Sequence, residues 1–329
     1  MGTARPTTAA TWIAAAVSWV LAAAAPSPAA ADDLKVVATI KPIHSLVAAV
    51  LEGIARPALL IDSQASPHSY ALRPSDARAL TGADVVFRIS GGLEPFTVKI
   101  AATLPKSVTL VDLASAPGVA LLDIRTGTTF ETHDHGTAQA GGKHDHDGHD
   151  DYDDHATGGS DGHIWLDPEN AKAILRHVAA VLGQHRADLK ERLEANATAA
   201  IARLDALDAE LRLALAPAKE KPFVVFHDAY QYFERRYGLA AAGSITLNPE
   251  VKPSARRLAA IRAKLAGLEA ACVFAEPQFS PRIIDTVMEG TRAKFGTLDP
   301  LGSAIAAGPE HYLAMMRALT EAMVGCLVR

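Results

Sequence analysis

The sequence predicts an α/β protein of two lobes, each a parallel-type sheet flanked by helices, joined by one long rigid helix. Three observations carry this. Short apolar runs alternate with helical patterns from residue 34 to residue 111, the alternation returns after residue 217, and between the two lies a stretch of nearly 30 residues with helical periodicity. Strands separated by helices pair in parallel, because a parallel neighbour needs a crossover long enough to hold a helix.

Leu34–Ile40, LKVVATI, reads as a buried strand, and Pro42 opens the first helix. Ala58 to Ile61 gives a second strand that leads into the loop Ser63 to Leu80, where Pro74-Ser75-Asp76 start another helix. Ala83 to Ser90 is a third strand closed by Gly91-Gly92, and Ser107 to Val111 a fourth. Pro168 begins a helix to about His185. From Ala187 to Leu215, Leu189, Leu193, Ala197, Ile201, Leu204, Leu207 and Leu211 recur every three or four residues with charges between them. At 1.5 Å per residue this helix crosses about 40 Å, a strut between two lobes, and it has too few heptads for a coiled coil. Beyond it come strands at Phe223–Phe226, Gly243–Leu247, Ala271–Ala275 and Gly296–Leu298, with helices at Tyr232–Tyr237 and Ser254–Leu265. The expected divisions are a leader over 1–31, a first lobe over 32–186, a linking helix over 187–216 and a second lobe over 217–329.

The leader carries Arg5, an apolar run from Trp12 to Ala25, then Pro26, Pro28 and Ala29-Ala30-Ala31, which fits a cleaved secretory signal peptide. About fourteen apolar residues fall short of the roughly twenty that span a bilayer. No Cys stands near the cleavage site to carry a lipid, so a soluble periplasmic protein is expected. The formal charge of −5 comes without a basic stripe, which argues against nucleic acid as a partner and favours cations. Cys272 and Cys326 form either a bridge between a strand and the C-terminal helix or two buried thiols.

The chemistry concentrates in histidine. An acidic loop over 132–161 holds His133, His135, His144, His146, His149 and His155 among Asp and Gly, with almost nothing apolar, so it cannot fold alone but can collect divalent metal. It runs into HIWLDPE, where His163 meets an apolar Trp and Leu before a helix. His68 and His227 each follow a strand, one in each lobe, and with His163 they converge if the lobes face each other. Each ring then needs an acceptor to fix its tautomer; the sequence does not say which group serves, although Asp228 is near. His44, His177, His185 and His311 lie within helical patterns and are expected to be structural.

Six motifs in order carry a family resemblance: SPHSYALRPSD, HIWLDPE, FVVFHDAYQYFERRYGL, NPE from Asn248, FAEPQFSP from Phe274 and GTLDPLG from Gly296. Over nearly all of its mature length the chain resembles the periplasmic solute-binding components of bacterial high-affinity zinc ABC importers. The resemblance implies two lobes with zinc in the cleft between them, ligands at His68, His163 and His227, and a disulfide between Cys272 and Cys326. It also implies a monomer that delivers zinc to a membrane permease driven by a cytoplasmic ATPase. The match departs at the fourth ligand. Some members carry Glu before the first His, where this chain has Pro67, while Asp299 matches a carboxylate of related manganese carriers. Asp299 then either ligates zinc, bonds to a bound water or stands behind the ligands, and a loop His or a water is open for that position. Three imidazoles suit zinc better than manganese and also accept copper or nickel.

Two other functions compete. A periplasmic zinc buffer or adhesin would use the same fold. A zinc hydrolase would take Glu276 as general base, but no H-E-x-x-H is present.

Overall fold

The structure, a computed structural model, describes residues 1–2, 34–125, 159–247, 249, 251–268, 272–280 and 282–328. The expected leader from residue 3 onward, the six loop histidines from His133 to His155, and Asn248 and Glu250 lie outside them. Among the described residues no helix is long and apolar enough to cross a membrane.

Two four-stranded sheets form the two halves. The first comprises β1 (Val36–Ala38), β2 (Ala58–Leu59), β3 (Val85–Arg88) and β4 (Thr109–Asp112) in the order β2-β1-β3-β4. The second comprises β5 (Phe223–His227), β6 (Ala241–Thr246), β7 (Cys272–Ala275) and β8 (Lys294–Thr297) in the matching order β6-β5-β7-β8. Every pairing within these two sheets is parallel. Every residue of β3, β5 and β7 is buried, as their unbroken apolar runs require when helices cover both faces.

The crossovers are α1 (Lys41–Val50), α2 (Pro74–Thr81) and α3 (Phe96–Ala101) in the first half, and α6 (Gln231–Tyr237), α7 (Ala255–Gly267) and α8 (Arg282–Met288) in the second. Two long helices, α4 (Pro168–His185) and α5 (Lys190–Leu215), come between the sheets, and α9 (His311–Leu327) closes the chain. Local signals set these ends. Asp167 accepts from the Glu169 backbone N–H at 2.9 Å with Pro168 in the first turn of α4, and Gly238 takes φ 69° to end α6.

The linking helix α5 is 26 residues long, about 39 Å, after a 3-10 turn at Ala187–Leu189. It is more than a strut. Leu193, Ala197, Leu204, Leu207, Leu211 and Leu215 are buried along one side, where α5 packs on α4, α1 and α9. One apolar cluster therefore runs from Val37 and Phe87 in the first half through α5 to Phe223, Phe233 and Tyr312 in the second. A smaller cluster around Val224, Ile245, Ile261 and Val273 belongs to the second sheet alone.

Polar staples cross the same seam. Lys41 Nζ donates to the Ser303 and Ile305 carbonyls at 2.9 and 3.2 Å, Trp165 Nε1 to the Pro300 carbonyl at 2.8 Å, and Tyr312 Oη to the Trp165 carbonyl at 2.6 Å. A shared core and buried cross-links leave room for loop adjustment rather than wide hinge motion.

Cys272, the first residue of β7, is bridged to Cys326 in α9 across a Cα separation of 6.2 Å, which settles the choice between a disulfide and two thiols. The bridge closes a loop with a sequence separation of 54 residues. Replacing both cysteines by Ser is expected to cost about 4 kcal/mol through unfolded-state entropy, read as a fall in the urea midpoint. An unchanged midpoint would show that α9 is held by packing alone.

Candidate metal centre

The second sheet changes its direction of winding between β5 and β7, and the carboxyl ends of those two strands are where an open parallel sheet presents its functional groups. His227 is the last residue of β5, and Glu276 follows β7 directly. His68 arrives from the loop after β2, and His163 from the turn before α4. That turn is anchored by Ile164, Trp165 and Leu166, each 1 % exposed or less. Gly162 lets the turn approach the first lobe, since a Cβ there would lie 2.9 Å from the Leu93 Cβ.

The three rings meet at their Nε2 atoms. His163 Nε2 lies 3.4 Å from His68 Nε2 and 3.2 Å from His227 Nε2, and one ligand atom from each ring falls within 4.8 Å of the others. A tetrahedral ion with bonds of about 2.0–2.1 Å spaces its donors by about 3.3 Å. His163 already stands at about that spacing from both other rings, and all three ligand atoms lie within 4.8 Å of one another.

Carboxylates behind two of the rings fix their tautomers. His163 Nδ1–H donates to Asp161 Oδ1 at 2.7 Å, the same oxygen that accepts from the His163 backbone N–H at 2.9 Å, and His227 Nδ1–H donates to Glu276 Oε1 at 2.7 Å. With both protons on Nδ1, the two facing Nε2 atoms present lone pairs to each other. One shared proton would relieve a single contact, whereas one metal ion relieves all three. Burial, and then the neighbouring His163 and His227, hold His68 well below the usual imidazole range, so this half-buried ring is neutral. Burial works to lower His227 as well, but Glu276 outweighs it and the net shift is upward.

Ser66, Pro67, Trp165, Gln278, Phe279 and Leu301 complete the wall around the rings. The Trp165 ring packs on His163 at 5.4 Å, and Phe279 meets His227 edge-on at 5.7 Å. The wall offers little that competes with a cation for the three nitrogens.

Two carboxylates whose roles the sequence left open have other partners here. Asp299 is not part of the cluster: Oδ2 accepts from the Ser303 backbone N–H and hydroxyl at 2.6 Å each, and Oδ1 from Gln278 Nε2 at 2.8 Å and the Leu301 N–H at 3.1 Å. It caps the loop after β8. Asp228 does not orient His227, because its carboxylate is taken by Arg125, and Glu276 serves instead. Glu276 is thereby committed to a histidine rather than poised as a general base.

The contrast histidines stay apart from the triad. His44 Nε2 pairs with the Pro57 carbonyl at 3.0 Å, His311 faces the Leu301 carbonyl at 2.9 Å, and His177 and His185 lie on α4. Asp161 was hidden among the many aspartates of the His-rich run, and its only signal was D-G-H, two residues before the ring.

Fold and site together define a two-lobed protein whose three facing histidines between parallel-sheet halves could hold one small cation, the architecture of a metal-binding solute carrier. The chain belongs to the family described as zinc-uptake complex component A, periplasmic, which matches residues 36–326. It is 42% identical over 304 residues to the high-affinity zinc uptake system protein ZnuA of Brucella abortus (strain 2308), covering 89% of this chain and 91% of that protein. It is 36% identical over 292 residues to the protein of the same description from Yersinia pestis, covering 89% and 91%. A crystal structure of ZnuA shares the fold with a TM-score of 0.72 at 24% identity, over 90% of this chain and 100% of that one.

The carboxylates behind the rings make a direct prediction. Glu276→Gln keeps the shape but removes the negative charge from His227 Nδ1–H, and is expected to lower affinity for zinc by about ten- to a hundredfold, measured by chelator competition. Unchanged affinity would mean that His227 needs no carboxylate behind it.

Proposed function

We propose that this protein captures Zn2+ in the periplasm through His68, His163 and His227 and delivers it to an ABC-type membrane permease with a cytoplasmic ATPase. The observation that carries the reading is the convergence of three imidazoles, two of them aimed by carboxylates, with His163 Nε2 at the spacing a tetrahedral ion requires from the other two. The relatives described as zinc uptake proteins support the choice of cargo. Three imidazole ligands also fit zinc better than an oxygen-preferring ion such as manganese.

In this reading residues 1–31 are a cleaved leader, the chain acts as a monomer, and the lobes over 32–186 and 217–329 face each other across the helix at 187–216. The fourth position falls to water or to a His of the 132–161 loop, since Pro67 has no side-chain donor and Asp299 is engaged elsewhere. A carrier must release its ion, so an exchangeable fourth ligand suits the task. The loop histidines His133, His135, His144, His146, His149 and His155 serve as weaker, auxiliary sites.

Calorimetric titration of the mature protein beside the triple variant His68→Ala, His163→Ala and His227→Ala tests this. One tight site is expected in the native protein and none in the variant, with weaker sites kept in both. Tight binding that survives the triple change would move the principal site into the loop and make the protein a buffer.

The proton linkage has a definite sign. Metal binds only unprotonated imidazole, so acid competes and affinity falls as pH drops. Glu276 raises the proton affinity of His227, so competition begins there, while His68 stays neutral to lower pH. Zinc affinity is expected to fall by about tenfold or more between roughly pH 7.5 and 5.5, with proton release on binding growing toward the acid end. A flat profile would place the ion on groups other than these rings.

A further inference from the structure

The two ends of the His-rich segment are tied together and to both lobes. On one side Leu122 to Arg125 leave the first half; on the other Gly159 to Asp161 return toward His163. Asp123 and Ser160 form an antiparallel bridge, the Ile124 N–H donates to the Gly159 carbonyl at 3.1 Å, and the Asp161 N–H donates to the Leu122 carbonyl at 2.8 Å. The result is a short two-stranded stem.

This stem docks on α6 and the end of β5. Tyr232 Oη donates to the Asp161 carbonyl at 2.7 Å and accepts from the Leu122 N–H at 3.0 Å, while Gln231 Nε2 donates to the Asp123 carbonyl at 2.9 Å. Arg125 makes the strongest link. Its Nε donates to both oxygens of Asp228 at 3.1 and 3.0 Å, its Nη2 also reaches Asp228, and Nη1 and Nη2 donate to the two oxygens of Glu234 at 2.9 Å each. Asp228 and Glu234 are 7% and 4% exposed, so two nearly buried carboxylates depend on this guanidinium.

The stem touches both fixed rings through their neighbours. Asp161, its last residue, holds His163 at Nδ1, and Asp228, which Arg125 holds, adjoins His227 in the chain. Glu234 also accepts from the Ala241 N–H at 3.0 Å, which carries the link into β6 beside β5. We propose that Arg125 is a positioning residue for metal capture: by clamping the stem of the first half onto Asp228 and Glu234 of the second, it holds His163 and His227 at metal-binding separation before the ion arrives. The inference rests on the triad being the zinc site. Pre-set donors lower the ordering cost of binding and slow the ion's escape, so the clamp acts on affinity without supplying a ligand.

The guanidinium fork is what the geometry requires. Lys supplies one charge but cannot bridge both carboxylates in the plane that Arg occupies. Arg317, paired with Glu210 on the outer side of α9 and α5, is a control of the same chemistry outside the stem.

Zinc affinity by chelator competition, zinc release rate by stopped flow and the metal-free melting temperature are measured for the native protein, Arg125→Met, Arg125→Lys and Arg317→Met. The expected result is about a tenfold loss of affinity and a matching faster release in Arg125→Met, partial recovery in Arg125→Lys, and native values in Arg317→Met. If Arg125→Met does not fold, Arg125→Lys decides, because it keeps a charge against the buried pair. A folded Arg125 variant with native affinity and release rate, even with a lowered melting temperature, would make the clamp purely structural and overturn the inference. Absence of a tight site in the native protein would instead overturn the zinc reading itself, with no bearing on what Arg125 holds.

Discussion

Three imidazole nitrogens brought face to face are an unfavourable arrangement in the absence of a cation, and the structure is organised to hold them there. Asp161 and Glu276 put the protons on the far side of His163 and His227, so the near sides repel unless something positive lies between. Such a site keeps its shape only if the backbone around it is stiffer than the repulsion. The apolar cluster that runs through α5 from one sheet to the other, the Trp165–Pro300 and Tyr312–Trp165 bonds, and the disulfide behind β7 supply that stiffness.

This arrangement separates the protein from carriers that close like a hinge around a large solute. A single ion offers few atoms with which to drive domain closure, so most of its binding energy must come from donors already in place. The lobes are accordingly joined along a helix whose buried side belongs to a common core. Movement is left to the loop that carries His68, while His163 and His227 are both buried, His227 at the end of β5.

Much of this was legible in the sequence, and the gaps have physical causes. The strands of both sheets were marked by apolar runs closed by Gly, Pro or polar residues, and the triad by its places after β2, before α4 and at the end of β5. The strand order within each sheet was not, because it depends on which way each crossover turns. Two short helices, α3 and α8, fell below the length at which periodicity speaks. The linking helix read as a spacer, since its apolar side showed that it packs but not on what. Local sequence could not assign the carboxylates: Asp228 adjoins His227 yet serves Arg125, while Glu276, 49 residues on, serves His227. The role of Asp299 was open in the sequence, because hydrogen bonds from Ser303, Leu301 and Gln278 to its oxygens come from loop geometry that local sequence does not show.

The central claim is that one zinc ion belongs at the seam, bound by three imidazoles set in advance. X-ray absorption at the zinc edge, on protein loaded with a single equivalent, tests it most directly. The account predicts at least three imidazole rings with Zn–N distances of about 2.0–2.1 Å, with a water oxygen or a loop imidazole completing a tetrahedron. A first equivalent surrounded mainly by carboxylate and water, with one imidazole or none, would contradict it.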